Sequence, residues 1–240
     1  MTKLYVYGIV EATHFDVKLP NGHDEAPVFA LVSGELAFAV SSLERSTVEA
    51  SAANVWLHES ILSALMEGHT VLPMRFGTIA AGAEQLLSGI VKRREQLMKD
   101  LARLDGKVEI ALRISGKNKE KVEQRITGQV VDTKVTQGAA YLQKKQQNLY
   151  GSFYTQSSVQ CAKRAIRSRL DPFIVEAIWP TEEPQMLPFR ASCLIKKGDL
   201  ACFVQTVDDV VVKASDIRVT CTGPWAPYSF VGQSGNKAET

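Results

Sequence analysis

The chain has 240 residues, 45% hydrophobic and 22% charged, with 28 Lys and Arg against 26 Asp and Glu. That composition excludes a disordered chain and fits one large domain or two small ones, while a net charge of +2 offers no global positive field to nucleic acid or an acidic membrane. The longest apolar stretches, such as 27–40 with Gly34 and Glu35 inside it, fall short of the roughly 18 to 20 residues that span a bilayer.

Met1-Thr2-Lys3 leads directly into the alternation Leu4-Tyr5-Val6-Tyr7. With no apolar leader region this reads as a first strand, over 3–10, of a cytosolic protein. Residues 11–26, which contain Pro20-Asn21-Gly22 and few apolar side chains, predict an exposed loop. Strands follow at 27–32 and 36–41, and Ser33-Gly34-Glu35 between them signals a tight hairpin. Ser51 is placed to cap a helix running to about Glu67, with Val55, Ile61, Leu62, Leu65 and Met66 turned to the core and Gly68 as the stop. Thr70-Val71-Leu72 reads as a short buried strand ended by Pro73. From Ala81 to Leu104 the apolar residues Leu86, Leu87, Ile90, Val91, Leu97, Met98, Leu101 and Leu104 fall in a stripe of about 140°, which predicts one long amphipathic helix.

Asp105-Gly106 breaks the chain, and Lys107 to Ile114 alternates between Val108, Ile110, Leu112, Ile114 on one side and Glu109, Ala111, Arg113 on the other. The order after it is a helical stretch over 118–170 divided by Gly128, Gly138 and Gly151, a strand at 173–179, a turn with Pro180 and Pro184, a strand at 187–195, a helix at 199–213 and a strand at 216–221. The predicted fold is therefore α+β with two α+β domains: 1–104, and 105–222 as a modified ferredoxin-like βαββαβ unit with a multi-helix insertion after its first strand. The last segment, 223–240, opens with Trp225, Tyr228 and Phe230 among prolines, rings too large to leave in water, and is expected to dock between the domains. Residues 232–240 are polar.

Signatures of catalysis and metal binding fail. His58-Glu59 lacks the second His of HExxH. His14 and His23 read as solvated loop residues, and Gly116-Lys117 has no glycine five residues before Gly116, so no phosphate loop forms. All four His precede residue 71 and all four Cys follow residue 160, at 161, 193, 202 and 221, without a CxxC pair. The cysteines read as buried or half-buried thiols rather than metal ligands. The open face of the second sheet would carry Glu109, Ala111 and Arg113, with Phe189 phased into the core, so it offers no platform for stacking RNA bases. Lys163, Arg164, Arg167 and Arg169 read as a solvated helix face. The expectation is a non-enzyme with no catalytic, cofactor-binding or metal residues, no cofactor, and neither a nucleic acid nor a membrane partner.

Several segments together resemble the gas-vesicle accessory proteins of the GvpF/GvpL type. They are Tyr5-Val6-Tyr7-Gly8-Ile9, the run from His69 through Val71-Leu72-Pro73-Met74-Arg75-Phe76-Gly77-Thr78, Gly106-Lys107-Val108-Glu109, Gly138 to Lys145, and the run from Gly223 to Phe230. The last departs mildly, with Trp225-Ala226-Pro227 where Trp-Pro-Pro is expected. The resemblance implies a minor structural component of gas vesicles, the gas-filled buoyancy organelles of the cytoplasm. It implies partners in the hydrophobic main shell protein and in other accessory proteins, and a role in limiting shell-protein aggregation during nucleation. Arg75, Phe76, Trp225, Tyr228 and Phe230 are the expected partner or interdomain contacts, with Arg75 placed to reach a helix C-terminus or a carboxylate. The alternative is a small-molecule-binding or regulatory module using the ferredoxin-like sheet face.

Overall fold

A computed structural model describes residues 2–12, 18–116, 156–180, 188–213 and 217–233. They form an α+β structure with two antiparallel sheets. The first contains β1 (Lys3–Glu11), β2 (Val28–Ser33), β3 (Leu36–Leu43), β4 (Leu72–Pro73) and β5 (Ile79–Ala80), in the order β2-β3-β1-β4 with β5 also on β1. The central strand β1 is buried from Leu4 to Val10 because helices cover both faces. α1 (Ala52–Gly68) lies on one, and α2 (Ala83–Val91) with α3 (Arg94–Leu104) on the other.

A bulge at Tyr7 sets which side chains meet which helix: Val6 pairs with Val40 and the next partner of β3 is Gly8, opposite Ala39. One extra residue reverses the alternation. Tyr5, Tyr7 and Val10 therefore share the α1 side, while Leu4, Val6 and Ile9 face α2 and α3. Gly8 sits where α1 and the chain entering β4 both approach β1. A Cβ there would come within 2.9 Å of Val71 Cγ1 and 3.1 Å of Leu62 Cδ2, so only glycine admits this packing. The β2–β3 hairpin closes on Gly34 and Glu35, with Ser33 opposite Leu36. Gly34 has φ +62° and Glu35 does not share the left-handed region, the pattern of a type II′ turn.

Ser51 Oγ accepts from the Asn54 amide at 3.3 Å, and α1 buries His58, Ile61, Leu62, Leu65 and Met66. Val55, expected in the core, is 38% exposed, and Trp56 beside it is 65% exposed. Ala52 and Ala53 are exposed too, so the first turn projects beyond the sheet. Pro73 does not end β4 but lies in it, paired with Gly8; on an edge its missing N–H costs the ladder nothing. The single helix expected over 81–104 is two, broken at Lys92 and Arg93, where the Arg93 amide bonds Ile90 O at 2.7 Å. Gly89 followed by β-branched Ile90 and Val91 makes the last turn of α2 weak, and Val91 leaves the stripe, 75% exposed. The loop before β2 is not wholly solvated either, since Gly22 and His23 are buried.

The second sheet contains β6 (Lys107–Gly116), β7 (Ile174–Ile178), β8 (Phe189–Lys196) and β9 (Ile217–Trp225), in the order β7-β8-β6-β9. Val108, Ile110, Leu112 and Ile114 join Phe189, Ala191, Cys193 and Ile195 in a core closed by α4 (Gln156–Leu170) and α5 (Leu200–Lys213), through Ile166, Leu170, Phe203 and Val207. Burial pushes the Cys193 thiol up to about 12. Cys161 and Cys202 are exposed rather than buried, and all four thiols are free. β9 runs four residues past the expected end at 221 and carries Trp225 opposite Glu109, through a cis Gly223–Pro224 peptide. Trp225 is thus a ladder residue. Of the helices expected over 118–170, only α4 falls within the described residues; the stretch 117–155, with Gly128, Gly138, Gly151 and the Gly138–Lys145 segment, lies outside them, as do His14 and the turn at 181–187.

Candidate functional site

His58 lies in the buried stripe of α1, facing the Tyr5 and Tyr7 side of β1, and it is fully buried. Tyr5 Oη is 3.0 Å from its Nδ1. Its Nε2 is 3.1 Å from Met74 O and 3.1 Å from Tyr228 Oη. Met74 O can only accept, which places the proton on Nε2, so Nδ1 accepts from Tyr5. The network then closes in one sense. The Gly77 amide donates to Tyr5 Oη at 2.9 Å, Tyr5 donates to His58, His58 donates to Met74 O and Tyr228, and Tyr228 donates to Glu59 Oε1 at 2.8 Å. Phe76 and His23 pack their edges on this group, with ring centroids 5.9 Å from Phe76 to His58 and 4.4 Å from His23 to Tyr5.

Burial sets the electrostatics. It lowers His58 to about 4, raises Tyr5 to about 12, raises Tyr228 further, with the Glu59 charge adding to the effect, and raises Glu59 against the opposing hydrogen bond from Tyr228. His58 is neutral at neutral pH and its ring nitrogens are both occupied. The arrangement is a weld that leaves neither ring nitrogen of His58 open to coordinate a metal. Among the described residues no group of three or more His, Cys, Asp or Glu side chains is placed to hold a metal ion.

The weld joins two distant segments, the 69–78 corner through Met74, Phe76 and Gly77, and the C-terminal segment through Tyr228. Two further clamps hold that segment. Glu109 accepts from the Ser229 amide at 2.8 Å and from Ser229 Oγ at 2.6 Å. Arg103 on α3 donates Nη1 to both oxygens of Glu176 on β7, at 2.7 and 2.8 Å, and Nη2 to Asp100 and to Phe230 O, while Asp100 accepts from the Gly232 amide at 2.9 Å. Phe230 is 1% exposed among residues of α3, β1 and β8. Glu109, read from the alternation as an open-face residue, is buried because this segment covers it.

The residues singled out in the sequence part company here. Phe76 and Tyr228 meet across His58, Phe230 fills a slot on the other side of the segment, and Trp225 donates Nε1 to Thr222 Oγ1 at 3.3 Å within β9. Arg75 is exposed and reaches neither a helix terminus nor a carboxylate among the described residues; its backbone carbonyl holds the turn by accepting from Thr78. His58, Glu59, Arg103 and Glu109 were missed. His58 was legible, since 58, 61, 62 and 65 follow the i, i+3, i+4, i+7 spacing of a buried stripe.

On the opposite face of the first sheet from the weld, an apolar groove of about 440 Å³ opens between the sheet and α2, lined by Phe38, Leu72, Leu86, Ile90, Val231 and others. Arg93 is the one charged residue of its lining.

A family model described as gas vesicle synthesis protein GvpL/GvpF matches residues 3–232. The chain belongs to that family. Gas vesicle protein F of a Streptomyces species is 27% identical over 95% of this chain and 98% of its own, and gas vesicle protein F1 of Halobacterium salinarum is 22% identical over 95% and 92%. The crystal structure of GvpF from Anabaena sp. PCC7120 shares the fold with a TM-score of 0.74 at 24% identity, over 100% of both chains. That of GvpF from Microcystis aeruginosa gives 0.73 at 23% identity, over 96% of this chain and 99% of that one. The role of this GvpL/GvpF member is gas-vesicle-related, and no helix of its described residues is long and apolar enough to cross a membrane.

Proposed function

We propose that this protein is a non-enzymatic accessory of gas vesicles, located at that cytoplasmic organelle, which binds the hydrophobic main shell protein and limits its aggregation during nucleation, alongside other accessory proteins. The observation that carries the reading is the contrast between the two parts of the site. Both ring nitrogens of His58 are consumed inside the protein, while the groove on the other face of the first sheet is lined mostly by apolar side chains and opens to solvent, the kind of concave apolar lining that receives a partner.

The same proposal divides the chain into 1–104, 105–222 and the connecting segment 223–240, of which Phe230 and Tyr228 supply interdomain contacts and the exposed Arg75 is left for a partner. It reads the second unit as a ferredoxin-like βαββαβ with an insertion after its first strand, supported by the order β7-β8-β6-β9. A small molecule on the open face of that sheet is the weaker reading, because Ser229 already sits there on Glu109 and 3.1 Å from Ser192 Oγ.

Light scattering of refolding shell protein tests the proposal. Substoichiometric amounts of this protein should delay aggregation, and Leu86→Lys in the groove should weaken the delay. Scattering unchanged at equimolar protein, together with normal vesicles in a deletion strain, would count decisively against it.

A further inference from the structure

α1 carries two stripes. His58, Ile61, Leu62 and Leu65 are buried against the first sheet. Ala52, Val55, Trp56 and Glu59 repeat the same i, i+3, i+4, i+7 spacing, about 120° further round the helix. This second stripe opens to solvent at its N-terminal end. Val55 is 38% exposed and Trp56 65%, the most of any Trp or Phe among the described residues. An apolar stripe of that spacing is the form in which a helix enters a partner's groove, and Trp is among the residue types that most often anchor an interface.

The chain also carries a groove, the one of about 440 Å³ on the other face of the first sheet from α1, a volume that admits a large side chain. Gly89 lines it, and a Cβ there would meet nothing within 4 Å, which leaves the α2 side open. The two surfaces are opposite in charge. From Ser46 to Met74 there is no Lys or Arg, while Glu49, Glu59 and Glu67 are present, and none of these three is in an ion pair among the described residues. Tyr228 donates to Glu59 Oε1 without neutralising its charge. At the groove, Arg93 is the one charged lining residue. It has no carboxylate partner among the described residues, and Lys92 precedes it.

We propose that the groove receives the Ala52–Glu59 stripe of a second copy of this chain, with Trp56 on the apolar floor and Glu59 toward Arg93. Because α1 and the groove lie on opposite faces of one sheet, the helix cannot enter the groove of its own chain, and each copy offers one helix and one groove. The contact is therefore heterologous, head to tail, and extends into a row or closes into a ring. Competition between shell protein and a neighbour's helix for this groove rests on the function proposed above; the self-contact does not.

Sedimentation over a concentration series tests the contact. Its area is small, so a dissociation constant on the order of 10 to 100 μM is expected. Trp56→Ala, at an exposed position, and Gly89→Leu, which favours the helix while filling the groove, should each weaken association about tenfold or more and melt near the wild-type temperature. An equimolar mixture of the two variants should form a dimer and nothing larger, because one intact helix meets one intact groove. Wild-type protein that stays monomeric at about 1 mM, undiminished association of folded Trp56→Ala or Gly89→Leu, or a mixture that stays monomeric overturns the head-to-tail contact. The shell-protein assay separates this contact from the function proposed above. Monomeric Trp56→Ala should still delay shell-protein aggregation; loss of the delay in that variant assigns Trp56 to shell protein and overturns the second copy as its partner. Wild-type protein that associates as expected and leaves shell-protein aggregation unchanged supports the contact and removes the function.

Discussion

The hydroxyl of Tyr228 accepts from His58 and donates to Glu59, so removing it strands a half-buried carboxylate. Tyr228→Phe should destabilise by about 1 to 3 kcal/mol, the cost of leaving a buried partner unsatisfied; an unchanged urea midpoint would show that the weld adds nothing to stability. His58 sets a pH dependence. Its folded value of about 4 lies below the ordinary 6.5, so between those limits the unfolded chain binds more protons and stability falls as pH is lowered. The loss begins below about pH 6.5, is complete near pH 4, and amounts to about 3 kcal/mol at most. Glu59, shifted upward by burial, acts in the opposite sense, contributing stability at low pH that is lost as pH rises. The difference between wild type and His58→Gln, which keeps a donor for Met74 O but cannot titrate in this range, isolates the histidine: the variant should lose the steeper decline between pH 6.5 and 4 in denaturant titrations.

Among the elements, β1 fits tightly against α1 and β4 at Gly8. Gly8→Ala would push a methyl to 2.9 Å from Val71 Cγ1 and 3.2 Å from Leu72 O. The backbone carbonyl cannot yield as a side chain can, so about 1 to 3 kcal/mol of destabilisation is expected, read as a lower denaturant midpoint. Ser51→Ala removes the side-chain cap on the Asn54 amide at the start of α1 and should cost about 1 kcal/mol. Both features can be read along the chain, a glycine in an otherwise apolar strand and a serine before a periodic run. The bulge at Tyr7 and the break at Lys92 and Arg93 cannot. An unbroken alternation through Tyr7 predicts a regular strand, and an apolar stripe through Ile90 and Leu97 predicts a regular helix, because the residues that interrupt them keep the apolar pattern.

For the whole molecule, Arg103 is the point where α3, β7 and the C-terminal segment meet. Asp100, 1% exposed, loses the Arg103 guanidinium in Arg103→Met. Breaking one partner of a buried pair costs about 3 to 5 kcal/mol, less here because Arg103 itself is 25% exposed. Truncation after Trp225 goes further, emptying the Phe230 slot and exposing Glu109. Calorimetry of that chain should show two transitions, one for each sheet with its helices; a single cooperative transition at the wild-type temperature would mean that the segment does not couple them.

The sequence by itself determined the alternation of β6, the capped α1, the hairpin at Gly34 and the order of the four strands of the second sheet, because each is written in neighbours within a few residues and period or turn chemistry is enough to read it. It also determined the family, through segments that run in order along the chain. Only the tertiary structure decided that His58, set aside as an incomplete metal motif, is the centre of a weld between residues 170 positions apart, that Glu109 is buried, and that Arg75 is free of partners among the described residues. A charged or polar side chain takes its role from what packs over it. For Glu109 the covering residue, Ser229, comes from the far end of the chain, as does the Tyr228 partner of His58, and no local periodicity carries that information.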